Sequence, residues 1–303
     1  MTPPLNVVVG IATVGRREVL TETLRELAGQ TRRPDRVLLC PGSEADLDRA
    51  ALPSLPYPVT VVSASVGLPA QRNAILDAAD APDPITRAIA DAIVFFDDDF
   101  FPARDYLARV EALLCGQPSI VVATGALLAD GVHGPGIDAA DARRLLAALP
   151  ASPTRLDDVY NAYGCNMVIR LAPVRTLRLR FDEQLPLYAW QEDLDFSRRL
   201  AGSGRIVRDA GLTGVHLATK RGRNSGVRFG YSQVANPIYL IRKRTMHARY
   251  GATLMGKNLL SNLARSLKPE PYVDRRGRLK GNLLAIADAL RGRIHPRRIL
   301  GLR

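Results

Sequence analysis

From Asn6 to about residue 125 the sequence alternates between short β-branched apolar runs and segments of helical periodicity. That alternation restricts the possible folds more than any other feature of the chain. "NVVVGIAT" (6–13) is uninterrupted and apolar, as expected of a strand covered on both faces. "REVLTETLRELAGQ" (17–30) then places Val19, Leu20, Leu24 and Leu27 on one helical face, with Gly29 near its end. "DRVLLCPG" (35–42) and "YPVTVVSA" (57–64) predict strands, and "LPAQRNAILDAAD" (68–80) a helix with Pro69 in its first turn. A strand "AIVFF" (92–96), a helix from about Ala103 to Leu114 and a strand "SIVVATG" (119–125) continue the series. Strand–helix units of this length imply an α/β fold with a mostly parallel central sheet flanked by helices. Residues 126–160 read as an excursion over the sheet. The pattern resumes at "YNAYGCNMVIR" (160–170) and runs to "TGVHLAT" (213–219).

Charge divides the chain a second way. Residues 1–216 carry 22 Lys/Arg against 27 Asp/Glu, whereas residues 217–303 carry 20 against 3. The net +12 is therefore a mildly acidic body joined to a tail of +17. We expect a main domain over 1–217 and a basic, mainly helical extension over 218–303. Such a tail favours phosphates, whether of nucleic acid, a membrane surface or a phosphorylated substrate. "NPIYLIRKRTMHARYG" and "TLMGKNLLSNLARSLKP" interleave apolar and basic residues at helical spacing. They suit either helices packed on the main domain or a surface held at an anionic membrane. No nucleic-acid partner is expected, because no recognition motif is present and aromatic residues make up only 6%. No run approaches the roughly 20 apolar residues of a membrane span, and the N-terminus lacks the marks of a secretory signal. The expected location is cytoplasmic, peripheral to the inner face of the cell membrane if the tail is a lipid contact. Cys40, Cys115 and Cys165 are spaced as reduced core residues rather than metal ligands.

The chemistry concentrates where strands end. Asp97, Asp98 and Asp99 follow "AIVFF" directly, and in doubly wound sheets ligands bind at the carboxyl ends of strands. Asp97 and Asp99 flank one residue, so on extended backbone they point to one side. There they could coordinate Mn²⁺ or Mg²⁺ and leave positions open for phosphates; the bland alternative is a solvated acidic turn. In "WQEDLDFSRRL" (190–200) Glu192 and Asp193 open a helical segment. The helix dipole explains one acid there, and a general base explains a second. Asp193 is the expected base and Glu192 its acceptor-orienting neighbour. His216, followed by Lys220, Arg221 and Arg223, suits a phosphate-bound metal faced by cations. Arg72, beside Asn73 in "GLPAQRNAIL", could pair either with a carboxylate of the metal site or with a phosphate.

In this order, from about Asn6 to about Leu217, these segments resemble the family 2 glycosyltransferases of the GT-A fold. "VVVGIATVGRREVLTETLRELAGQT" is similar to the family's opening strand, loop and helix, "VGLPAQRNAIL" to its Arg-Asn segment and "FFDDDF" to its metal motif. "FDEQLPLYAWQEDLDFSRRL" is similar to the acceptor-side block, and "GVHL" to the segment of the metal-completing histidine. The resemblance implies a Rossmann-like GT-A domain and an inverting transferase with Asp97, Asp99 and His216 at the metal. It implies nucleotide contacts from Thr13, Arg16, Arg72, Asp97, Asp98, Lys220 and Arg221, and Asp193 as base. Where the family has "D-D-G-S", this chain reads "LLCPGSEAD", so Glu44 or Asp46 takes over the contact to the nucleotide base. A UDP-sugar is the default donor. The implied acceptor is a hydroxyl of a glycan or of a polyprenyl-diphosphate-linked saccharide, as in polysaccharide biosynthesis. Two rival classes are a nucleotidyltransferase, for which "GIATVGRR" is poor in glycine, and a basic nucleic-acid-binding protein.

Overall fold

The computed structural model describes residues 4–48, 52–83, 86–149, 155–219 and 225–302. Along the chain run β1 (Val7–Thr13), α1 (Arg17–Ala28), β2 (Arg36–Pro41), β3 (Val59–Val61), α2 (Leu68–Asp80), β4 (Ala92–Asp97), β5 (Phe100–Pro102), α3 (Tyr106–Gly116) and β6 (Ile120–Asp130). There follow α4 (Ala139–Ala147), β7 (Leu156–Asp158), β8 (Asn166–Arg170), α5 (Leu171–Thr176), α6 (Glu192–Leu200), β9 (Arg205–His216), α7 (Gly226–Lys243), α8 (Ala248–Ser266) and α9 (Arg275–Leu290). The strands form one nine-stranded sheet in the order β3-β2-β1-β4-β8-β6-β9-β5, with β7 also paired to β9. β1, β2, β3 and β4 are parallel, and β8 runs antiparallel between β4 and β6. Because β6 and β9 are parallel to each other, six of the nine strands share one direction. The carboxyl ends of β1, β4, β6 and β9 therefore lie on the same side of the sheet.

Some elements differ from expectation. The run 57–64 narrows to Val59–Val61, because Pro58 has no N–H to add to the ladder. The helix expected from Ala103 starts at Tyr106, since the Ala103 N–H is held by the Thr213 carbonyl at 2.9 Å. Residues 126–130 are not an excursion but the far half of β6, which continues through two register shifts to pair with β9. Among the cysteines, Cys40 and Cys165 are buried and Cys115 is exposed. The inward face of α3 is taken by Tyr106, Leu107, Val110 and Leu114, which turns the next residue outward.

The Cα packing divides the chain into two compact units, one of residues 1–66, 70–180 and 200–222, the other of 67–69, 181–199 and 223–303. In the first, Val7, Val9 and Ile11 of β1 and Val94 and Phe96 of β4 pack with Leu20, Leu24 and Leu27 of α1. Close approach of α2 to the sheet requires Gly10, since a Cβ there would lie 2.7 Å from Ile75. Phe96 and Phe100, both buried, stack at 4.9 Å and meet the Tyr106 ring edge-on. These aromatics anchor both sides of the acidic triplet, so its backbone is fixed by core packing rather than left as a free turn.

In the second unit, α7 and α9 cross on glycines. A Cβ at Gly230 would lie 2.0 Å from the Arg278 carbonyl, and one at Gly281 2.1 Å from that of Val227. Such backbone proximity leaves polar groups to satisfy, and buried amides do so. Asn282 donates to the Gly230 carbonyl at 2.7 Å, and Asn262 to Gln233 Oε1 and Asn282 Oδ1, each at 2.8 Å. Lys243 Nζ donates to Asp182 at 2.5 Å and to the fully buried Asp195 at 2.7 Å. Burial alone would raise the Asp182 carboxyl, but Lys243, the Gln184 N–H and Tyr239 outweigh it and hold it low. Among the described residues no helix is long and apolar enough to cross a membrane.

Candidate active site

Four strand ends supply the first cluster: Thr13 closes β1, Asp97 closes β4, Asp130 closes β6 and His216 closes β9. β9 is twelve residues long, and this length carries His216 up to the triplet. Phe100 pairs with His216 in register, and the Leu217 N–H donates to the Asp99 carbonyl at 2.9 Å. His216 Nε2 lies 3.4 Å from Asp99 Oδ1 and 3.7 Å from Asp97 Oδ2. One donor atom from each of Asp97, Asp99 and His216 falls within 4.8 Å of the other two.

The three aspartates have separate environments. Asp98 turns inward, accepting from Thr13 Oγ1 at 2.6 Å and Arg16 Nη1 at 2.8 Å, while Thr23 donates to its carbonyl at 2.7 Å. Asp99 Oδ2 accepts from Arg16 at 3.1 Å and from the Thr219 N–H at 2.8 Å. Its other oxygen, Oδ1, is buried with no hydrogen-bond partner among the described residues. A buried carboxylate oxygen short of hydrogen bonds is costly, and this one faces His216 Nε2 at 3.4 Å within the cluster. Burial and the neighbouring Asp99 push the Asp98 carboxyl up despite Arg16. Burial works the same way on Asp99, but His216, Arg16 and the Thr219 N–H outweigh it and hold that carboxyl low. Burial lowers His216, yet Asp130, Asp99 and Asp97 together push it up to about 10. Two carboxylates and an imidazole, one oxygen buried and unsatisfied, fit a hard divalent cation with room left for substrate oxygens.

Arg72 is set beside a carboxylate of the cluster. It is buried, donates to the Gly164 carbonyl at 2.8 Å, lies 3.5 Å from Asp97 Oδ1 and stacks over Phe95. It pairs with the carboxylate. Glu44 is exposed at the turn after β2. Asp46 has both oxygens engaged, one by the Gly15 N–H at 2.5 Å and the other by Ser43 at 2.8 Å. Lys220, Arg221 and Arg223 lie outside the described residues.

Asp130 and Tyr163 escape the sequence reading. Asp130 Oδ1 lies 2.9 Å from His216 Nδ1, and Tyr163 OH donates to Oδ2 at 3.3 Å. Asp130 and His216 are register partners across β6 and β9. The available signal was an acid at the carboxyl end of a strand, hidden because "LLAD" falls in a stretch read as an excursion.

Glu192 and Asp193 open α6 in the second unit. Glu192 is buried, and the half-buried Asp193 accepts from the Leu194 N–H at 2.8 Å. Asp195, the third acid of the run, is bound to Lys243, with Arg199 at 3.6 Å. Leu187, Ala189 and Gln191 lead into this helix with φ of 60°, 51° and 77°. Three left-handed non-glycine residues in five positions are strained, a feature concentrated at functional sites. Within the unit this loop is tied to α7: Asn236 donates to the Trp190 carbonyl at 2.7 Å, and Tyr188 and Trp190 both lean on Phe229.

No protein-family model matches the sequence, and no curated protein matches it. Solved structures do. S. aureus TarS 1–349 in complex with UDP-GlcNAc superposes with a TM-score of 0.58 at 14% identity, over 97% of this chain and 83% of that one. The mannosyltransferase PcManGT from Pyrobaculum calidifontis, in complex with GDP-Man and Mn²⁺, gives 0.54 at 16% identity over 96% and 87%. GalNAc-T7 with UDP, GalNAc and Mn²⁺ gives 0.55 at 12% identity over 97% and 59%. Against a longer TarS structure the match spans 88% of this chain but 46% of that one. The chain has the GT-A fold of these glycosyltransferases.

Proposed function

We propose that the protein is a glycosyltransferase that moves a sugar from a nucleoside-diphosphate sugar to an acceptor hydroxyl, with inversion at the anomeric carbon. The observation that carries this reading is the Asp97–Asp99–His216 cluster, in which the buried Asp99 Oδ1 makes no regular hydrogen bond among the described residues and faces His216 Nε2 at 3.4 Å. The similar structures hold UDP-GlcNAc, GDP-Man with Mn²⁺, and UDP with GalNAc and Mn²⁺, which supports a donor of that class here. A UDP-sugar is the default. Mn²⁺ or Mg²⁺ held by Asp97, Asp99 and His216 would supply positive charge for the donor's diphosphate.

The chain's own groups divide the remaining work. Arg72 and the Asp130–His216 pair hold the ligating side chains in place. Arg16, tied to Asp98 and Asp99, fixes the β1 loop that faces the nucleotide, with Thr13 at its root and Glu44 near the base. Lys220 and Arg221 add charge for the leaving diphosphate. Asp193 takes the proton of the acceptor hydroxyl as its oxygen bonds to the anomeric carbon, and the bond from that carbon to the diphosphate oxygen breaks, releasing the nucleoside diphosphate. Glu192 orients the acceptor. The acceptor we infer is a glycan or a lipid-linked saccharide, as in polysaccharide biosynthesis. Residues 1–217 would carry donor binding and catalysis, and 218–303 the contact to acceptor or to a membrane surface.

Thermal stabilisation by nucleotide sugars with Mn²⁺ tests the reading. Asp99→Ala should abolish metal-dependent donor binding, whereas Asp193→Asn should keep it and lose transfer. Indifference of the wild-type protein to every nucleotide sugar with either cation would overturn the proposal. Near-normal turnover by Asp193→Asn would remove the base assignment alone.

A further inference from the structure

The outer faces of α8 and α9 expose leucines in a basic surround. On α8, Leu260 and Leu263 are 66% and 53% exposed, and Leu267, just past its end, is 86% exposed. Their spacing of three and four residues puts them on one face. On α9, Leu283, Leu284 and Leu290 are likewise exposed, the last at 85%. Between the end of α8 and the first turns of α9 runs a groove of about 660 Å³, whose lining includes Leu267, Leu279, Leu283, Leu284, Arg276 and Lys280.

The charge around this face is predominantly positive. Residues 217–303 contain three acids, and each is engaged within the unit. Glu270 binds Arg265 and Arg275, Asp274 caps α9 at the Gly277 N–H, and Asp288 accepts from Tyr231. Lys257, Lys268, Arg276, Lys280 and Arg291 are all exposed. Exposed leucines ringed by cations, with carboxylates tied up elsewhere, complement a surface that is apolar inside and anionic at its rim.

We propose that the α8–α9 face docks on an anionic lipid bilayer, with Leu260, Leu263, Leu267, Leu283 and Leu290 entering the acyl boundary and Lys268, Arg276 and Lys280 lying at the lipid phosphates. This gives the inferred lipid-linked acceptor a meeting place, and to that extent rests on the functional proposal. The face itself is independent of the acidic cluster.

Co-sedimentation of the full chain with vesicles of phosphatidylcholine alone, or mixed with phosphatidylglycerol, tests the docking. Binding should require the anionic lipid and weaken with salt. Lys268→Gln/Arg276→Gln/Lys280→Gln should lower partitioning roughly a hundredfold, at about five-fold per cation. Leu267→Ser/Leu283→Ser should lower it by roughly tenfold or more per leucine. Both variants should keep the donor-induced thermal shift of the wild type. Sedimentation indifferent to lipid charge, or unchanged in both variants, would overturn the proposal. So would a dimer in light scattering that Leu267→Ser/Leu283→Ser dissolves, since the face would then belong to a second copy. Absence of vesicle binding with donor binding intact removes the docking surface alone. Vesicle binding without any donor binding removes the glycosyltransferase reading alone.

Discussion

Replacing Asp130 probes the cation site without touching a ligand. Its Oδ1 lies 2.9 Å from His216 Nδ1, and the two residues are register partners on β6 and β9, so the ladder itself enforces the pairing. With Nδ1 committed, Nε2 is directed at Asp99 and Asp97, 3.4 and 3.7 Å away. Loss of such an outer carboxylate typically costs roughly 10- to 100-fold in metal affinity, or about 1.4–2.7 kcal/mol. Asp130→Asn should fall at the lower end, because an amide oxygen still accepts from Nδ1 although the charge is lost. Asp130→Ala should fall at the upper end, since the half-buried pocket then leaves the ring free to turn. Tyr163→Phe removes one long, exposed hydrogen bond of 3.3 Å to Oδ2 and should change affinity several-fold at most. Electron paramagnetic resonance titration of free Mn²⁺ against each protein reads these affinities with no donor and no turnover. Wild-type affinity in Asp130→Ala would refute the orienting role and weaken the case for His216 as a ligand.

Three further outcomes concern the second unit. Gly281→Ala should destabilise by about 1–3 kcal/mol in urea titration, because the added methyl would meet the Val227 carbonyl at 2.1 Å; unchanged stability would mean that α7 and α9 can separate freely. Lys243→Met leaves the fully buried Asp195 with the longer Arg199 contact of 3.6 Å and should cost about 3 kcal/mol, partly restored by adding Asp195→Asn; an additive double variant would show that the pair is not coupled. Arg275 holds Glu270 down to about 2, with burial opposing and Arg265 assisting. A carboxyl lowered in the folded state contributes stability above its unfolded value of about 4.3, and loses it as pH falls through the folded value. The stability gap between wild type and Glu270→Gln should therefore be full at pH 5 and close toward pH 2. A gap that persists there would contradict the ion pairing.

The acidic triplet was readable because a local pattern defines it: a buried β-branched run followed directly by carboxylates can only place them at a strand's end. Asp130 was not readable. Its importance comes from a partner 86 positions away, and the register shifts that carry β6 past Gly125 leave no mark on hydrophobic periodicity. Arg72 lay between these cases: spacing put it on α2, but only burial against Phe95 and Gly164 showed that it faces a carboxylate. The acids of 190–200 looked alike in sequence, yet Asp195 binds Lys243 while Asp193 accepts from the Leu194 N–H.

By itself the sequence determined the alternating α/β order, the placement of Asp97–Asp99 behind β4, and the separation of an acidic body from a basic tail. All three are local properties, set by side-chain period and charge within a few residues. Tertiary structure decided which strand ends converge, which carboxylate oxygen is buried short of hydrogen bonds, and which leucines of the tail remain in water. These depend on strand direction and helix packing over long separations, where the deciding energy belongs to contacts that no short stretch of chain contains.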